Sequence, residues 1–173
     1  MNHIVVIGFM GSGKTRVGKR LAQDLKMPFL DVDKKIAQNM KMSVKELLDK
    51  FGEPFYRALE TYTGKEMLKV KEPTVISVSA GFPLQEQNQK YLKELGTVIY
   101  LKGSVETLKK RLEGKSNPFL SDENREEKIK KMLAQREPVY KKMADIQAVT
   151  GEKPFEGLIM EIEEKLENRI KNS

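Results

Sequence analysis

Apolar residues in this chain form short continuous runs, and longer amphipathic stretches separate one run from the next. Within the stretches, apolar residues recur at the spacing of a helix face, as Val17, Leu21 and Leu25 do after the first run. Short apolar runs that alternate with helices are typical of a parallel sheet covered on both faces. The pattern therefore predicts an α/β fold, a five-stranded parallel sheet with helices on both faces. The predicted strands are residues 3–7, 29–31, 74–78, 97–101 and 146–149.

Eight helices are predicted between and after these strands. They span residues 14–26, 34–39, 44–50, 54–70, 85–95, 105–112, 124–136 and 155–170. Ser43 and Glu46 have the spacing of a capping box at the start of one helix, and Pro54 suits the first turn of the next. Pro138 is expected to end the seventh helix, because proline disfavours helical backbone in the preceding residue. No repeat or linker divides the sequence, so residues 1–173 are predicted to form a single domain.

The turn between the first strand and the first helix carries a phosphate-binding motif. Residues 8–15 read Gly-Phe-Met-Gly-Ser-Gly-Lys-Thr, a complete G-x-x-x-x-G-K-[ST] pattern in the strand–loop–helix context that the motif requires. Its glycines let successive backbone N–H groups point at an anion at the start of the helix. Lys14 would reach the β- and γ-phosphates, and the Thr15 hydroxyl would hold Mg²⁺. The motif predicts a nucleoside triphosphate site made by Gly11, Ser12, Gly13, Lys14 and Thr15.

Two carboxylates follow the second predicted strand. Asp31 and Asp33 lie two residues apart, so both side chains would point to the same side if the backbone stays extended. In a parallel sheet, this end of the strand lies at the edge where ligands bind. One acid beside Mg²⁺ and one facing an acceptor hydroxyl would suit phosphoryl transfer. The alternative is that Asp33 only caps the next helix.

Composition narrows the possible classes of protein. The 173 residues contain no Cys, which removes disulfides, thiolate metal sites and Cys nucleophiles. No apolar stretch approaches the roughly 20 residues of a membrane span, so we expect a cytoplasmic protein without a membrane partner. The net charge is +7, but the lysines are interleaved with acidic residues and form no aromatic-rich basic stripe. This pattern favours a basic surface that attracts anionic small molecules, and it does not favour a nucleic-acid partner. We also expect a monomer.

Four ordered segments carry a resemblance to a known family. They are residues 7–15, residues 29–33, the stretch Phe51-Gly52-Glu53-Pro54-Phe55-Tyr56-Arg57 followed by Glu60, and Arg136-Glu137-Pro138-Val139-Tyr140 followed by Ala144. Together they resemble shikimate kinases, small P-loop kinases of the nucleoside-monophosphate-kinase type, over residues 2–166. The resemblance implies a P-loop NTPase fold with a substrate-binding flap at residues 34–70 and a lid at residues 113–124. It also implies transfer of a phosphoryl group from ATP to shikimate with Mg²⁺, in the pathway to aromatic amino acids.

The resemblance also implies roles for the acceptor-site residues. Asp33 would bind the shikimate hydroxyls and align or deprotonate the 3-hydroxyl, with Lys14 as the other catalytic residue. Arg57 and Arg136 would hold the carboxylate, for which guanidinium forks are chemically suited. As alternatives, Arg57 would pair with Glu60 or Glu53 on a helix surface, and Arg136 would only cap its helix.

Further roles concern the metal, the adenine and a glycine turn. Asp31 would join Thr15 in the Mg²⁺ shell, through water. Arg111 and Pro154 would sandwich the adenine ring. The alternative is that Arg111 belongs only to the solvated end of a helix. Gly81 would be the substrate-binding glycine of the turn after the third strand.

The chain departs from the family pattern at two places. Ser79 and Ala80 stand where the family has two further glycines before Gly81, and they would strain the backbone if either needed a positive φ. The lid reads Asn117-Pro118-Phe119-Leu120, where the family has Arg-Pro-Leu-Leu. Asn117 does not supply the positive charge of that arginine, and Lys115 is a conceivable substitute.

Three functions remain open on the sequence. The first is the ATP-dependent phosphorylation of shikimate to shikimate 3-phosphate. The second is a kinase for another small carboxylated polyol, and the third is a non-catalytic nucleotide-binding homologue. The retained acceptor residues argue against the third, because a pure binding module has no use for an acceptor site.

Overall fold

The short apolar runs form one parallel sheet. The computed structural model describes residues 2–173, and within them five strands pair in the order β2-β3-β1-β4-β5. All the pairings are parallel, and β1 lies at the centre between β3 and β4. The predicted sheet is therefore confirmed. The strands are β1 (His3–Gly8), β2 (Phe29–Asp31), β3 (Val75–Ser77), β4 (Gly96–Lys102) and β5 (Ile146–Val149).

Helices connect the strands and cover both faces of the sheet. The described residues form α1 (Lys14–Leu25), α2 (Val32–Met40), α3 (Val44–Phe51), α4 (Glu53–Met67), α5 (Glu86–Leu95), α6 (Val105–Leu112), α7 (Arg125–Met143) and α8 (Phe155–Lys171), with a 3₁₀ turn at Phe82–Leu84. The start of α3 is as predicted, since the Ser43 hydroxyl accepts a hydrogen bond from the Glu46 N–H. Pro54 lies in the first turn of α4, also as predicted.

Two apolar clusters, one on each face, hold the helices to the sheet. On one face, Leu21 of α1 and Ile162 of α8 pack with Val6 and Ile99 of the central strands. The other face carries the larger cluster, in which residues of α2 to α7 pack on β1, β3 and β4. Complete burial of one such side chain is worth about 1.5–3 kcal/mol, so these faces orient the helices relative to the strands.

One predicted helix end is wrong. Helix α7 does not stop before Pro138 but continues to Met143. An internal proline removes one helical hydrogen bond and costs about 3 kcal/mol in an isolated helix. Here the residues beyond it offset that cost, because Tyr140 and Met143 are buried and the Tyr140 hydroxyl donates to the Ala80 carbonyl over 2.6 Å. Tertiary packing therefore carries the helix through the proline.

The carboxyl ends of three adjacent strands bring the motifs together. β1 leads into the phosphate loop, where Gly11 and Gly13 have φ values of 79° and 93° in the left-handed region that favours glycine. The last residue of β2, Asp31, pairs in register with Ser77 at the end of β3. The turn that contains Ser79 to Gly81 follows directly. This edge of the sheet is the place where a parallel α/β fold binds its ligands.

Candidate active site

A cavity of about 260 Å³ lies at this edge, between the phosphate loop and α4. We call it the acceptor cavity. Five residues predicted to act in catalysis or acceptor binding line it, although they come from five separate parts of the chain: Lys14, Asp33, Arg57, Gly81 and Arg136. The lid residues Asn117, Pro118 and Phe119 form another part of its wall. The fold therefore gathers the predicted acceptor residues around one space.

Asp33 reaches the acceptor cavity from a helix and not from an extended strand. Helix α2 begins at Val32, so the backbone does not stay extended through Asp33, and the condition for the two acids to point to the same side is not met. The side chain accepts a hydrogen bond from the hydroxyl of Tyr56 on α4. Burial raises the pKa of Asp33 above its ordinary value, while the bond from Tyr56 opposes that rise. A carboxylate with a raised pKa is a stronger base than an exposed aspartate.

Asp31, and not Asp33, caps α2. One Asp31 oxygen accepts from the Lys34 N–H over 3.2 Å, and the other accepts from the Thr15 hydroxyl over 2.9 Å. The alternative that Asp33 serves only as the cap is therefore wrong. The contact also places the hydroxyl of the phosphate loop and a carboxylate side by side. Oxygen ligands of these two kinds are the ones that Mg²⁺ takes from proteins.

Arg57 is held by two carboxylates of its own helix. Its guanidinium donates to Glu60 over 2.8 Å and to Glu53 over 3.0 Å. Both partners were predicted as alternatives to an acceptor role, but the surface setting was wrong, since Glu60 is completely buried and Arg57 is largely covered. Gly81 leaves space for this guanidinium, because a Cβ at that position would overlap Arg57 Nη1. The pairing orients Arg57 along one wall of the acceptor cavity.

Arg136 enters the acceptor cavity from α7 without a carboxylate partner. None of the ion pairs among residues 2–173 involves it. Its guanidinium carbon lies 5.7 Å from the centre of the Phe9 ring. Because α7 continues past Pro138, Arg136 sits inside a helix, and the expectation that it caps the helix end is wrong. An arginine with this position is available to an anionic ligand.

Lys14 lies on the floor of the acceptor cavity. Its ammonium group donates to the Phe9 carbonyl over 3.0 Å. Burial lowers the pKa of Lys14 to about 8, although the nearby Asp33 and Asp31 oppose the shift. A positive charge held in this way is poorly compensated until an anion arrives.

A second cavity, of about 560 Å³, opens on the other side of the phosphate loop, and we call it the nucleotide cavity. Gly11, Ser12 and Gly13 line it together with Arg111. The Arg111 guanidinium donates to the carbonyls of Gly11 and Ser12 over 3.3 and 3.0 Å, so it rests on the loop. The proposed partner of Arg111, Pro154, does not line this cavity, although Lys153 and Phe155 on either side of it do. The cavity therefore brings together the loop and Arg111 but leaves Pro154 at its margin.

The two cavities meet at Gly11 and Asn117, which line both of them. The Asn117 side chain accepts a hydrogen bond from the Phe119 N–H over 2.9 Å. Lys115 lines only the nucleotide cavity. An uncharged amide therefore lies where the two cavities meet.

The lid is fastened at both of its sides. Phe119 packs on α4, with its ring centre 4.9 Å from the Arg57 guanidinium carbon and 5.8 Å from the Tyr56 ring. Arg125, the first residue of α7, donates to the carbonyls of Leu112 and Leu120 over 2.6 and 3.1 Å. The segment predicted to be the lid is therefore packed against Tyr56 and Arg57 on one side and tied to α7 on the other.

The altered turn after β3 is not strained. Neither Ser79 nor Ala80 has a positive φ, so the expected backbone cost does not arise. The Ser79 hydroxyl donates to the buried Glu60 carboxylate. Gly81 itself has a φ of −86°, and it serves as open space beside Arg57.

Sequence reasoning missed two residues of the acceptor site. Tyr56 belongs to a motif of the family and Phe119 to the altered lid sequence, but the sequence predicts no role for either residue. Tyr56 directly precedes Arg57, but its contact with Asp33 joins residues 23 positions apart and has no periodic signal. Phe119 had one available signal, because it is the single aromatic residue of the predicted lid, residues 113–124.

Comparison with known proteins shows the family of this chain. The family model described as Shikimate kinase matches residues 10–167. The chain belongs to the shikimate kinase family. A shikimate kinase of Thermodesulfovibrio yellowstonii is 39% identical over 170 residues, which cover 94% of this chain and 96% of that protein. One of Dictyoglomus turgidum is 37% identical over 164 residues, covering 92% and 94%.

Solved structures show the same family likeness. Shikimate kinase from Acinetobacter baumannii in complex with shikimate superposes with a TM-score of 0.91 at 31% identity, covering 100% of this chain and 95% of that one. Shikimate kinase from Aquifex aeolicus gives a TM-score of 0.84 at 32% identity, covering 97% and 98%.

Membership of the shikimate kinase family makes the chain an enzyme, a kinase with the P-loop fold that takes ATP as its co-substrate. Its other substrate is a small molecule. Of the described residues, none belongs to a helix that is long and apolar enough to cross a membrane.

Proposed function

We propose that the protein transfers the γ-phosphoryl group of ATP to the 3-hydroxyl of shikimate, giving ADP and shikimate 3-phosphate. One observation carries the assignment of residues. A cavity with two arginines and a basic carboxylate meets a cavity built on the phosphate loop, and the two share Gly11 and Asn117. A donor and an acceptor bound in these cavities would face one another across the loop.

The acceptor cavity matches a carboxylated polyol. Arg57 and Arg136 present guanidinium groups, which bind a carboxylate through paired hydrogen bonds. Asp33 provides an acceptor for hydroxyl groups in the same cavity. Two arginines and one carboxylate in about 260 Å³ favour a small molecule that has an acid at one end and hydroxyls at the other.

The nucleotide would bind by its phosphates to the loop. The backbone N–H groups of residues 11–15 and the amino end of α1 supply the anion site. Lys14 would reach the phosphates from the acceptor side, while Arg111 would lie beside the base and Pro154 at the margin of the same cavity. Burial disfavours the charged form of Lys14 in the free protein, and the phosphates of bound ATP would stabilise that charged form.

Thr15 and Asp31 are the residues that would hold Mg²⁺. Their side chains are in contact, and both offer oxygen, so the donor set fits this ion. Among residues 2–173 there is no cluster of three or more acidic, His or Cys ligands, which agrees with an ion held largely by phosphates and water. When bound, Mg²⁺ would neutralise charge on the β- and γ-phosphate oxygens.

The chemical step would be a direct in-line transfer. A bond forms between the acceptor oxygen and the γ-phosphorus, and the bond from that phosphorus to the β–γ bridging oxygen breaks. Asp33 would take the proton of the 3-hydroxyl, while Lys14 would stabilise charge on the phosphates. The rest of the rate enhancement would come from positioning, with the lid excluding water from the junction of the cavities.

The proposal extends to the organisation of the molecule. Residues 1–173 would act as one domain, with residues 113–124 as the lid and residues 34–70 as the acceptor flap. The proposal also includes a monomer that acts on small molecules without a nucleic-acid partner. A cytoplasmic location is part of the proposal, because the reaction consumes ATP.

The first experiment is a coupled assay of ADP release, with excess Mg-ATP, in the presence and absence of shikimate. We expect turnover that depends on shikimate and stays at background with a nucleoside monophosphate. ADP release that responds only to another carboxylated polyol would reassign the acceptor. Nucleotide binding without stimulated turnover by any such acceptor would point to the non-catalytic alternative.

Variants of the two arginines test the acceptor assignment. Arg57→Ala and Arg136→Ala each remove a charge-assisted bond to the acceptor, so the KM for shikimate should rise about tenfold or more. The KM for ATP should stay near the wild-type value. Arg169→Ala, at an exposed arginine that lines neither cavity, is the matched control and should change neither constant. An unchanged shikimate KM in both cavity variants would place the acceptor elsewhere.

A further inference from the structure

Ser79 has a side-chain contact that a glycine at this position does not make. It lies in the turn after β3, it is buried, and its hydroxyl donates to Oε2 of Glu60 on α4. The backbone there has no positive φ, so the turn accommodates the serine without strain. This contact joins the turn to the helix that carries Arg57.

Glu60 is completely buried, and its two oxygens have different partners. Oε1 accepts from Nη1 of Arg57 over 2.8 Å, and Oε2 accepts from Ser79. A buried carboxylate is costly unless its oxygens are paired, and an unpaired oxygen would favour rotation or protonation of the group. The serine hydroxyl therefore completes the pairing that keeps Glu60 oriented towards Arg57.

Arg57 has a second carboxylate partner, which makes this orientation important. Glu53, one turn earlier on α4, is largely exposed and also accepts from the same guanidinium over 3.0 Å. A weaker hold by Glu60 would let Arg57 follow Glu53 towards solvent and away from the acceptor cavity. The direction of Arg57 is thus set by a balance between a buried and an exposed carboxylate.

We propose that Ser79 is a positioning residue for acceptor binding, which acts through Glu60 to hold the Arg57 guanidinium where the carboxylate of the acceptor is received. The proposal rests on the proposed role of Arg57. It assigns a function to a position at which the chain departs from the glycine turn of its family. Ser79 also lines the acceptor cavity, but its hydroxyl donates to Glu60, so we assign its effect to the hold of Glu60 on Arg57.

The test compares Ser79→Ala and Ser79→Gly with the wild-type enzyme in steady-state assays. Both variants remove the hydroxyl, and glycine also removes any effect of the side-chain carbon. We expect the KM for shikimate to rise about tenfold, or about 1.4 kcal/mol in binding free energy, in each. The kcat and the KM for ATP should stay within about twofold, since only the hold on the acceptor is weakened.

Ser77→Ala is the matched control, because Ser77 is also a buried serine and lies two residues before Ser79, at the end of β3. It should leave all three constants near their wild-type values. An unchanged KM for shikimate in both Ser79 variants would overturn the proposal. A fall in kcat together with an equal rise in both KM values would also overturn it, because that result indicates general distortion of the turn.

Arg57→Ala, measured in parallel, separates this proposal from the one on which it rests. If Arg57→Ala raises the KM for shikimate and the Ser79 variants do not, only the positioning role is wrong. If Arg57→Ala also has no effect, the acceptor assignment itself is wrong.

Discussion

Among single residues, Lys14 shows how burial prepares a group for its ligand. Its pKa of about 8 means that a small rise in pH removes the charge from the free enzyme. Above pH 8 the fraction of enzyme with charged Lys14 falls about tenfold per pH unit, and affinity for ATP should fall with it. The direction follows from the sign of the shift, because a lysine with a lowered pKa loses its proton at a lower pH. Titration of ATP between about pH 7 and 9.5 in EDTA checks this without a contribution from Mg²⁺.

A control for this titration is available at Lys35, an exposed lysine of α2 that lines neither cavity. Lys35→Ala should keep the fall in affinity above pH 8. Lys14→Ala should abolish transfer and bind ATP weakly at every pH. Equal pH dependence in the wild type and in Lys14→Ala would show that another group titrates.

Asp33 shows the same principle for a carboxylate. Asp33→Asn keeps the shape of the side chain and an oxygen that accepts from Tyr56, but it removes the base. General acid–base groups contribute about 10²–10⁴-fold to rate, so we expect kcat to fall by about that amount. Calorimetric titration with ATP at about pH 6 should show nearly unchanged affinity, because Lys14 stays charged there even without the Asp33 carboxylate, which opposes the fall in the Lys14 pKa.

Asp49→Asn serves as the comparison for Asp33→Asn, since Asp49 is an exposed aspartate of α3. Its kcat should equal that of the wild type. If the Asp33→Asn enzyme retained most of its turnover, Asp33 would have no part in the chemistry and would keep a role in binding alone.

Among the elements of the fold, the proposed lid departs from the family pattern, because it has Asn117 where the family has an arginine. It places Asn117 at the junction of the two cavities, where positive charge stabilises phosphoryl transfer. Asn117→Arg should therefore raise kcat, by about tenfold or more if no other cation already serves there. The coupled assay at saturating Mg-ATP and shikimate measures this directly.

Ser116→Arg is the control for position, because it adds the same charge to the neighbouring lid residue, which lines only the nucleotide cavity. It should give a smaller gain. If Asn117→Arg gives none, and Lys115→Ala lowers kcat, then Lys115 already fills the role of the missing arginine.

Helix α4 shows how one element serves several purposes. Within one turn it presents Tyr56 to Asp33 and Arg57 to the acceptor cavity. In the next turn, the buried Glu60 carboxylate accepts hydrogen bonds from Arg57 and Ser79. The spacing of three and four residues on one helix makes this arrangement possible.

In the molecule as a whole, ligand binding and stability are coupled. A ligand that binds only the folded state stabilises it by about 2.7 kcal/mol at a hundred times its Kd. For a chain of this size that amounts to an increase in Tm of about 5–10 °C. We expect Mg-ATP to produce such an increase in a thermal melt, and Lys14→Ala to lose most of it. An equal shift in that variant would mean that the nucleotide binds away from the phosphate loop.

The class of fold and most of the chemistry could be predicted from the sequence. Apolar runs alternating with amphipathic stretches predicted the five strands to within a few residues, because buried parallel strands and helix faces leave separate periodic signals. The phosphate loop was predicted from its own spacing, since its residues are contiguous and act through backbone geometry. Lys14 was predicted from the same motif and Asp33 from its place after the second strand. Arg57, Gly81 and Arg136 were identified by resemblance, and the structure brings all five to one cavity.

Contacts between residues that are distant along the chain emerged only from the folded molecule. Packing of Tyr140 carried α7 through Pro138, against the local preference of proline. The early start of α2 made Asp31 the cap and left Asp33 to accept from Tyr56. The bond from Ser79 to Glu60 joins residues 19 positions apart. Such contacts have no period and no fixed spacing, because they arise from where the sheet places its helices and not from any local pattern.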